Sequence, residues 1–396
     1  MAREIFVTAV RTVAEVPGRG DVANCGPVRS RPTVSTATVS PGASVGWPTG
    51  LDGRPLQWHP TTDLQSIGSG TRLLVLVTGG AGYIGSHVVR KLLERGHEPV
   101  VLDNLATGRR GAVGPARLIV GDVGDRPLLD RVFSHVTYDA VLHFAALKSV
   151  EESVRYPIRY FEHNVGRTIT LLAAMDRAGV GSLVYSSSAA VYGNPETLPV
   201  TESAPLAPLN PYGESKRLVE AMLGWAHGRG RLAYAALRYF NAAGAEEDGS
   251  IGEDWRNATN LIPIVLRAAM RRGPPVRIFG DDYPTLDGTA LRDYVHVTDL
   301  AVAHVQALEA LPHAEAPIVV NLGTEHASSV LDVIATTRAI AGVDVPTERA
   351  PRRVGDMPAM WADASLARQL LGWRAERTLE DIIRTAWRWH SSDLGV

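Results

Sequence analysis

The chain has 396 residues, 45% of them hydrophobic, enough for a full core and two domains of ordinary size. Its formal net charge of -2 offers no basic excess for nucleic acid, and its single cysteine, Cys25, excludes an internal disulfide or a cysteine-held zinc. Apolar runs such as residues 73–77 are too short to cross a bilayer and the N-terminus lacks the apolar core of a secretion signal, so a cytoplasmic protein is expected.

Residues 1–71 are rich in Pro, Gly, Ser, Thr and Val and show little helical or strand periodicity. Such a segment buries little apolar surface to offset its ordering entropy, so it reads as a disordered or artefactual extension. From Leu73 the texture changes. Residues 73–77 are a continuous apolar run, as expected of a strand buried on both faces. A glycine-rich turn follows, then helical spacing over residues 86–95 that Gly96 ends. Residues 99–103, 117–122, 140–145, 183–188 and 234–240 read as further strands with helices between them. This alternation predicts an α/β fold, a Rossmann-type doubly wound parallel sheet over residues 72–243. After Ala243 the alternation weakens. Residues 244–391 are expected to form a smaller, mixed substrate domain, partly interleaved with the first.

The turn reads Thr78-Gly79-Gly80-Ala81-Gly82-Tyr83-Ile84-Gly85, a G-x-x-G-x-x-G spacing. Glycine is required there because a Cβ would keep the backbone away from a pyrophosphate, and the following helix offers free N–H groups to the phosphates. Asp103 ends the next strand about 20 residues on, where a ribose-hydroxyl partner belongs. Its carboxylate would repel a 2′-phosphate, which favours NAD over NADP. Asp122, at the end of the third strand, is placed to reach the adenine.

Two further features stand at the carboxyl ends of later strands: Ser186-Ser187-Ser188, and Tyr212-Gly213-Glu214-Ser215-Lys216. Four residues apart, Tyr212 and Lys216 share one face of a helix. A free phenol titrates near about 10, too high for a base at neutral pH; a neighbouring ammonium and a positive nicotinamide would favour the phenolate. Ser188 could bond the same substrate oxygen and relay its proton. A lone Y-x-x-x-K is ordinarily helix surface. Here it follows a dinucleotide turn and a serine-bearing strand in order, which makes it a catalytic pair.

These motifs resemble the extended short-chain dehydrogenase/reductase family and, within it, the UDP-glucose 4-epimerases. The resemblance runs from Leu74 to Ser391. It is carried most specifically by residues 144–153 (FAALKSVEES), 280–300 (GDDYPTLDGTALRDYVHVTDL) and 350–364 (APRRVGDMPAMWADA). It implies a UDP-hexose substrate, NAD bound throughout turnover, no metal, a transient 4-keto sugar and a homodimer. Tyr212, Lys216 and Ser188 would be the catalytic residues. Tyr83 and Ile84 would line the pyrophosphate; Asp103, Asn104, Leu105, Ala106, Thr107 and Gly108 the adenosine; Asp122 and Val123 the adenine. Phe144, Ala145, Ala146, Leu147 and Lys148 would border the cofactor, with Lys148 near its phosphates. Asn164 would reach the cofactor or brace its own helix, and Phe240 would lie near the nicotinamide or pack in the core.

UDP and sugar would meet Asn241, Asn260 and Leu261, the segment Arg277, Ile278 and Phe279, the phosphate arginines Arg292 and Arg353, and the ribose ligand Asp356. Met360 would face the sugar where the family often has Tyr or a smaller residue, which leaves acceptance of N-acetylated sugars open. Two departures from the implied activity stay in view: a 4-epimerase of another UDP-sugar, such as UDP-glucuronate or a UDP-pentose, and a non-catalytic NAD-sensing protein. A 4,6-dehydratase is disfavoured, because Ala189 and Ala190 follow Ser188 where that reaction needs an acid.

Overall fold

The computed structural model describes residues 72–254, 259–353 and 356–392. The expectation for residues 1–71 lies outside them. In chain order the elements are β1 (Leu74–Thr78), α1 (Tyr83–Glu94), β2 (Glu98–Asp103), β3 (Arg117–Val120), α2 (Arg126–His135), β4 (Ala140–His143), α3 (Val150–Arg155), α4 (Pro157–Tyr160), α5 (Arg167–Ala178), β5 (Ser182–Ser186), α6 (Pro211–His227), β6 (Ala233–Tyr239) and β7 (Asn241–Ala243). They continue with α7 (Leu261–Ala269), β8 (Val276–Phe279), β9 (Leu291–Arg292), β10 (Tyr294–His296), α8 (Val297–Ala310), β11 (Ile318–Leu322), β12 (Ser328–Ser329), α9 (Val330–Ala341), β13 (Thr347–Ala350), β14 (Ala359–Met360), α10 (Ser365–Leu371) and α11 (Leu379–Ser391).

Seven strands form one sheet in the order β11-β6-β5-β4-β1-β2-β3, every pair parallel. The order reverses between β1 and β4, and ligands of such sheets bind in the crevice beyond that reversal. The strands read as unbroken apolar runs because both faces are covered. On one face Val88 and Leu92 of α1 pack with Leu300 and Val305 of α8. On the other, Leu129 of α2, Leu171 and Met175 of α5, and Val219 and Leu223 of α6 form a second cluster.

The structure moves several boundaries; β4 and β5, for instance, stop at His143 and Ser186 rather than at residues 145 and 188. α1 begins at Tyr83 rather than at residue 86, because Gly82 is itself the N-cap and the glycine turn supplies the helix's first turn. The third strand stops at Val120, since Gly121 and Asp122 turn away, the Gly121 N–H donating to the Asp103 carbonyl at 3.0 Å. The seventh strand, β11, comes from beyond Ala243, and α8 covers the sheet from the same half of the chain. The two halves are therefore interleaved. The remaining elements build a smaller layer in which Val265 and Leu266 of α7, Val333 and Ile334 of α9, and Ile382 and Ile383 of α11 bury a third cluster.

Candidate active site

Gly79 leaves β1 with φ +73°, and a Cβ on it would lie 2.6 Å from the Ala145 backbone nitrogen. Gly85, in the first turn of α1, has no room for a Cβ against the Gly79 carbonyl. These two glycines let the turn fold back on itself beside β4. Gly82 differs. A Cβ there would meet only the Gly79 carbonyl oxygen, at 3.3 Å, and would otherwise project into a cavity of about 490 Å³ that Gly82 lines. The space a side chain would fill lies at a helix N-terminus with its unpaired N–H groups, the setting a pyrophosphate needs. The residues present thus fit a dinucleotide.

Asp103 is buried at the end of β2, and its two carboxylate oxygens accept the Ala81 and Leu105 N–H groups at 3.0 and 2.8 Å. Each oxygen keeps a lone pair for a ribose hydroxyl. Asp103, Asn104, Ala106, Thr107 and Val123 all border the cavity. Leu105 does not; it takes φ 58° at the bend and packs against the core. Gly108 is also outside the lining, and a Cβ on it would strike the Ala81 backbone. Asp122 stands behind the wall, bonded to the Asn104 amide at 3.0 Å, to the Gly124 N–H at 2.7 Å and to Arg167. Burial would raise its carboxyl, but these three donors outweigh it and hold it below the usual carboxylate range. Asp122 thereby fixes Asn104 and Arg167, both of which do face the cavity.

The segment after β4 forms the opposite wall: Phe144, Ala145, Ala146, Leu147 and Lys148 all line it. Asn164 holds this wall from behind. Its amide accepts the Leu147 N–H at 2.8 Å and donates to the Leu147 carbonyl and to Ser215 Oγ, both at 3.0 Å. It sits in a π-helical turn, Phe161–Gly166, that turns the side chain inward. Of the two roles expected for Asn164, bracing is the one its bonds describe. Phe240 is buried in the core and lines neither cavity, so core packing accounts for it.

Helix α6 carries the candidate acid–base pair. Asn210 caps it, accepting the Gly213 N–H at 2.9 Å, and Pro211 occupies the first helical position, where its missing N–H costs nothing. Tyr212 and Lys216 both reach the cavity, with the Lys216 ammonium 5.9 Å from the Tyr212 ring centre and 4.9 Å from that of Tyr185. Lys216 Nζ donates to the Ser186 carbonyl at 2.7 Å. Burial lowers the lysine from its ordinary 10.5 to about 7, against the pull of Glu220 one turn further along α6. Burial also pushes the Tyr212 phenol up, and a hydrogen bond from Ser188 opposes it. Within the protein, burial thus favours the neutral phenol over the phenolate. The step to the phenolate needs a further positive charge close by, such as a nicotinium ring.

A second cavity of about 450 Å³ adjoins the first, and Thr259 lines both. Asn241, Asn260, Leu261, Arg277, Phe279, Arg292, Arg353 and Asp356 face it. Two guanidinium groups lie over the Phe279 ring, Arg353 at 3.9 Å and Arg277 at 5.0 Å from its centre. Arg292 is fixed by Asp356 and by the Met357 carbonyl at 2.9 Å. Ile278 points the other way along β8, into the core, as strand alternation requires. Met360 is also buried in the core and lines neither cavity.

The comparisons with known proteins agree with this arrangement. Residues 75–323 match the model of the NAD dependent epimerase/dehydratase family. The chain belongs to this family. Among its relatives, the UDP-glucose 4-epimerase of Lactobacillus helveticus is 48% identical over 320 residues, covering 80% of this chain and 97% of that protein. The crystal structure of UDP-glucose 4-epimerase from Stenotrophomonas maltophila, with bound NAD and formylated UDP-arabinopyranose, is similar with TM-score 0.78 and 44% identity, over 80% of this chain and 98% of that one. The enzyme from Bifidobacterium longum in complex with NAD+ and UDP gives 0.77 and 41%, over 82% and 100%.

Several residues of this family member escape its motifs. Tyr239 ends β6 at the cavity, its hydroxyl 2.6 Å from Ser186 Oγ. Its position beside a run of strand residues gave a signal of burial only. Arg167, His163 and Glu253 also reach the cavity, from a helix, a π-helical turn and a loop. No local pattern marks isolated residues of these types.

Proposed function

We propose that the protein interconverts UDP-galactose and UDP-glucose through a transient 4-keto sugar, with NAD retained across turnovers. One observation carries the reading: Tyr212, with Ser188 bonded to its hydroxyl, and Lys216 line a dinucleotide cavity that shares Thr259 with an adjoining arginine-lined cavity. Guanidinium groups such as Arg292 and Arg353 suit a diphosphate. Bound NAD supplies the acceptor, and then the donor, of the hydride at sugar C4. Tyr212 takes the 4-hydroxyl proton as that hydride leaves and returns it to the 4-oxygen of the inverted product. Ser188 holds the Tyr212 hydroxyl in line and gives the proton a second oxygen. Lys216, fixed on the Ser186 carbonyl, supplies positive charge beside the phenol. The UDP stays anchored while the 4-keto sugar turns its other face.

The test is to incubate the purified chain with UDP-galactose and separate the products. UDP-glucose should form without added NAD, and denaturation should release NAD. No product even with NAD supplied would overturn the assignment. Parallel runs with UDP-GalNAc and UDP-glucuronate define the sugar.

The same proposal includes a homodimer and a cytoplasmic setting. Helices α3 and α4 pack beside α6 and leave Val154 at 63%, Ile158 at 74% and Trp225 at 82% exposure. A cluster of exposed apolar side chains on adjacent helices suits a two-fold self-complementary contact. Trp225→Asp should lower the mass measured by light scattering to that of one chain; an unchanged mass would remove this face from the interface.

A further inference from the structure

Residues 244–253 end on the wall of the cofactor cavity and are held at each end. The Tyr83 hydroxyl, from the first turn of α1, donates to the Gly244 carbonyl at 2.6 Å. Within the loop the Glu246 N–H donates to the Ile251 carbonyl at 2.9 Å, closing a tight hairpin. Arg90 of α1 grips the outer bend through Asp248 and Ser250, at 2.9 and 2.7 Å. At the far end the Trp389 indole of α11 donates to the Glu253 carbonyl at 2.9 Å, and its ring lies where a Cβ on Gly252 would be, 2.5 Å away. Glycine at 252 is what lets the indole seat there. The position of Glu253 is thus set from both sides, by α1 and by α11.

Its side chain is only 7% exposed, yet it borders the cofactor cavity. One oxygen, Oε1, accepts from two donors: the Lys148 ammonium at 2.8 Å and the Asn260 amide at 3.5 Å. Lys148 is on the wall of the cofactor cavity, and Asn260 is on the wall of the adjoining one. A buried carboxylate is costly when its partners leave, so the two donors are not independent. Drawing the Asn260 amide toward a bound uridine nucleotide leaves Glu253 more reliant on Lys148, and so holds that lysine against its wall.

We infer that Glu253 is a positioning residue that couples occupation of the nucleotide-sugar cavity to retention of the cofactor. This rests on the reading of the two cavities given above. It concerns a residue outside the Ser–Tyr–Lys chemistry, and it assigns the loop a function: cofactor exchange is slowest while substrate is present.

The experiment follows exchange of bound NAD against excess isotopically labelled NAD in the full chain, with and without saturating UDP. In the unaltered protein UDP should slow exchange by about tenfold, within the usual range of coupling between two sites. In Glu253→Gln the factor should fall below about twofold, whatever the variant does to exchange in the absence of UDP. Glu253→Asp should restore part of it. Lys148→Met breaks the same bridge from its exposed side and should abolish the UDP effect likewise, which decides the matter if Glu253→Gln fails to fold. A UDP effect of unaltered size in either variant, or none in the parent protein, overturns the inference. A parent protein that holds no NAD would instead fell the functional reading, and this inference with it.

Discussion

Replacing Tyr212 by Phe removes one oxygen from the site and little else. The ring stays in its buried place on α6 and Ser188 Oγ keeps the Ala190 N–H, 3.2 Å away, as a partner. The loss of one hydrogen bond costs stability about 1 kcal/mol. The loss of the proton acceptor should cost turnover about 100- to 10,000-fold, about 3–5 kcal/mol in the barrier. Lys216→Met tests how much of that comes from charge. An ammonium about 6 Å from a phenolate charge would be worth about 3 kcal/mol at an effective dielectric constant of about 20, or about two decades in the phenolate population; Lys216 lies 5.9 Å from the Tyr212 ring centre. Burial drives the lysine towards its neutral form, so this is an upper bound on its help. The assay is formation of UDP-glucose from UDP-galactose, with bound NAD counted after denaturation. Tyr212→Phe should keep its NAD and lose only a few degrees of melting temperature while losing turnover. Activity within tenfold of the parent, with NAD bound and the fold intact, would refute the acid–base assignment.

Two further outcomes concern stability. Arg238 of β6 clamps Glu220 of α6 through bonds of 2.6 to 3.1 Å, with both side chains under a tenth exposed. Arg238→Met strands the carboxylate and should cost about 3–5 kcal/mol by denaturant unfolding, whereas Arg238→Met with Glu220→Gln should cost less; equal losses would show that the pair does not act as one. The second is acid sensitivity. Burial pushes His143 and His296 down to about 3 and His87 and His304 down to about 4. They stay neutral in the fold while the unfolded chain protonates below about 6.5, so the unfolded state binds more protons and stability falls as pH drops from about 6.5 to 4, by up to about 1.4 kcal/mol per pH unit for each. A melting temperature flat across that window would contradict their burial as neutral rings.

Much of the cofactor half was legible because its chemistry is local. A strand, a glycine turn and a helix follow one another in sequence, and Gly79, Gly82 and Gly85 lie where the backbone must pass close to itself or to a ligand. Tyr212 and Lys216 needed only helical spacing. What stayed hidden depends on distant pairing. β11 reads as a strand only in the company of β6, some 80 residues earlier, and its place beyond the expected domain border concealed it. Leu105, Gly108 and Asp122 sit among cavity residues in sequence but support the wall from behind, a distinction set by how the backbone bends there. Glu253 carried no signal at all, because its meaning comes from Lys148 and Asn260.

The return of β11 to the sheet also bears on how the chain is made. Until residue 322 leaves the ribosome, β6 is an open edge with unpaired backbone groups, and α8 is not yet there to cover the sheet beside α1. The dinucleotide turn, though complete in sequence by residue 85, is then packed against a half-built layer. A fragment ending near residue 243 should accordingly aggregate rather than bind a dinucleotide. The nascent protein must keep its first six strands in waiting, and the cofactor can be captured only after most of the chain exists.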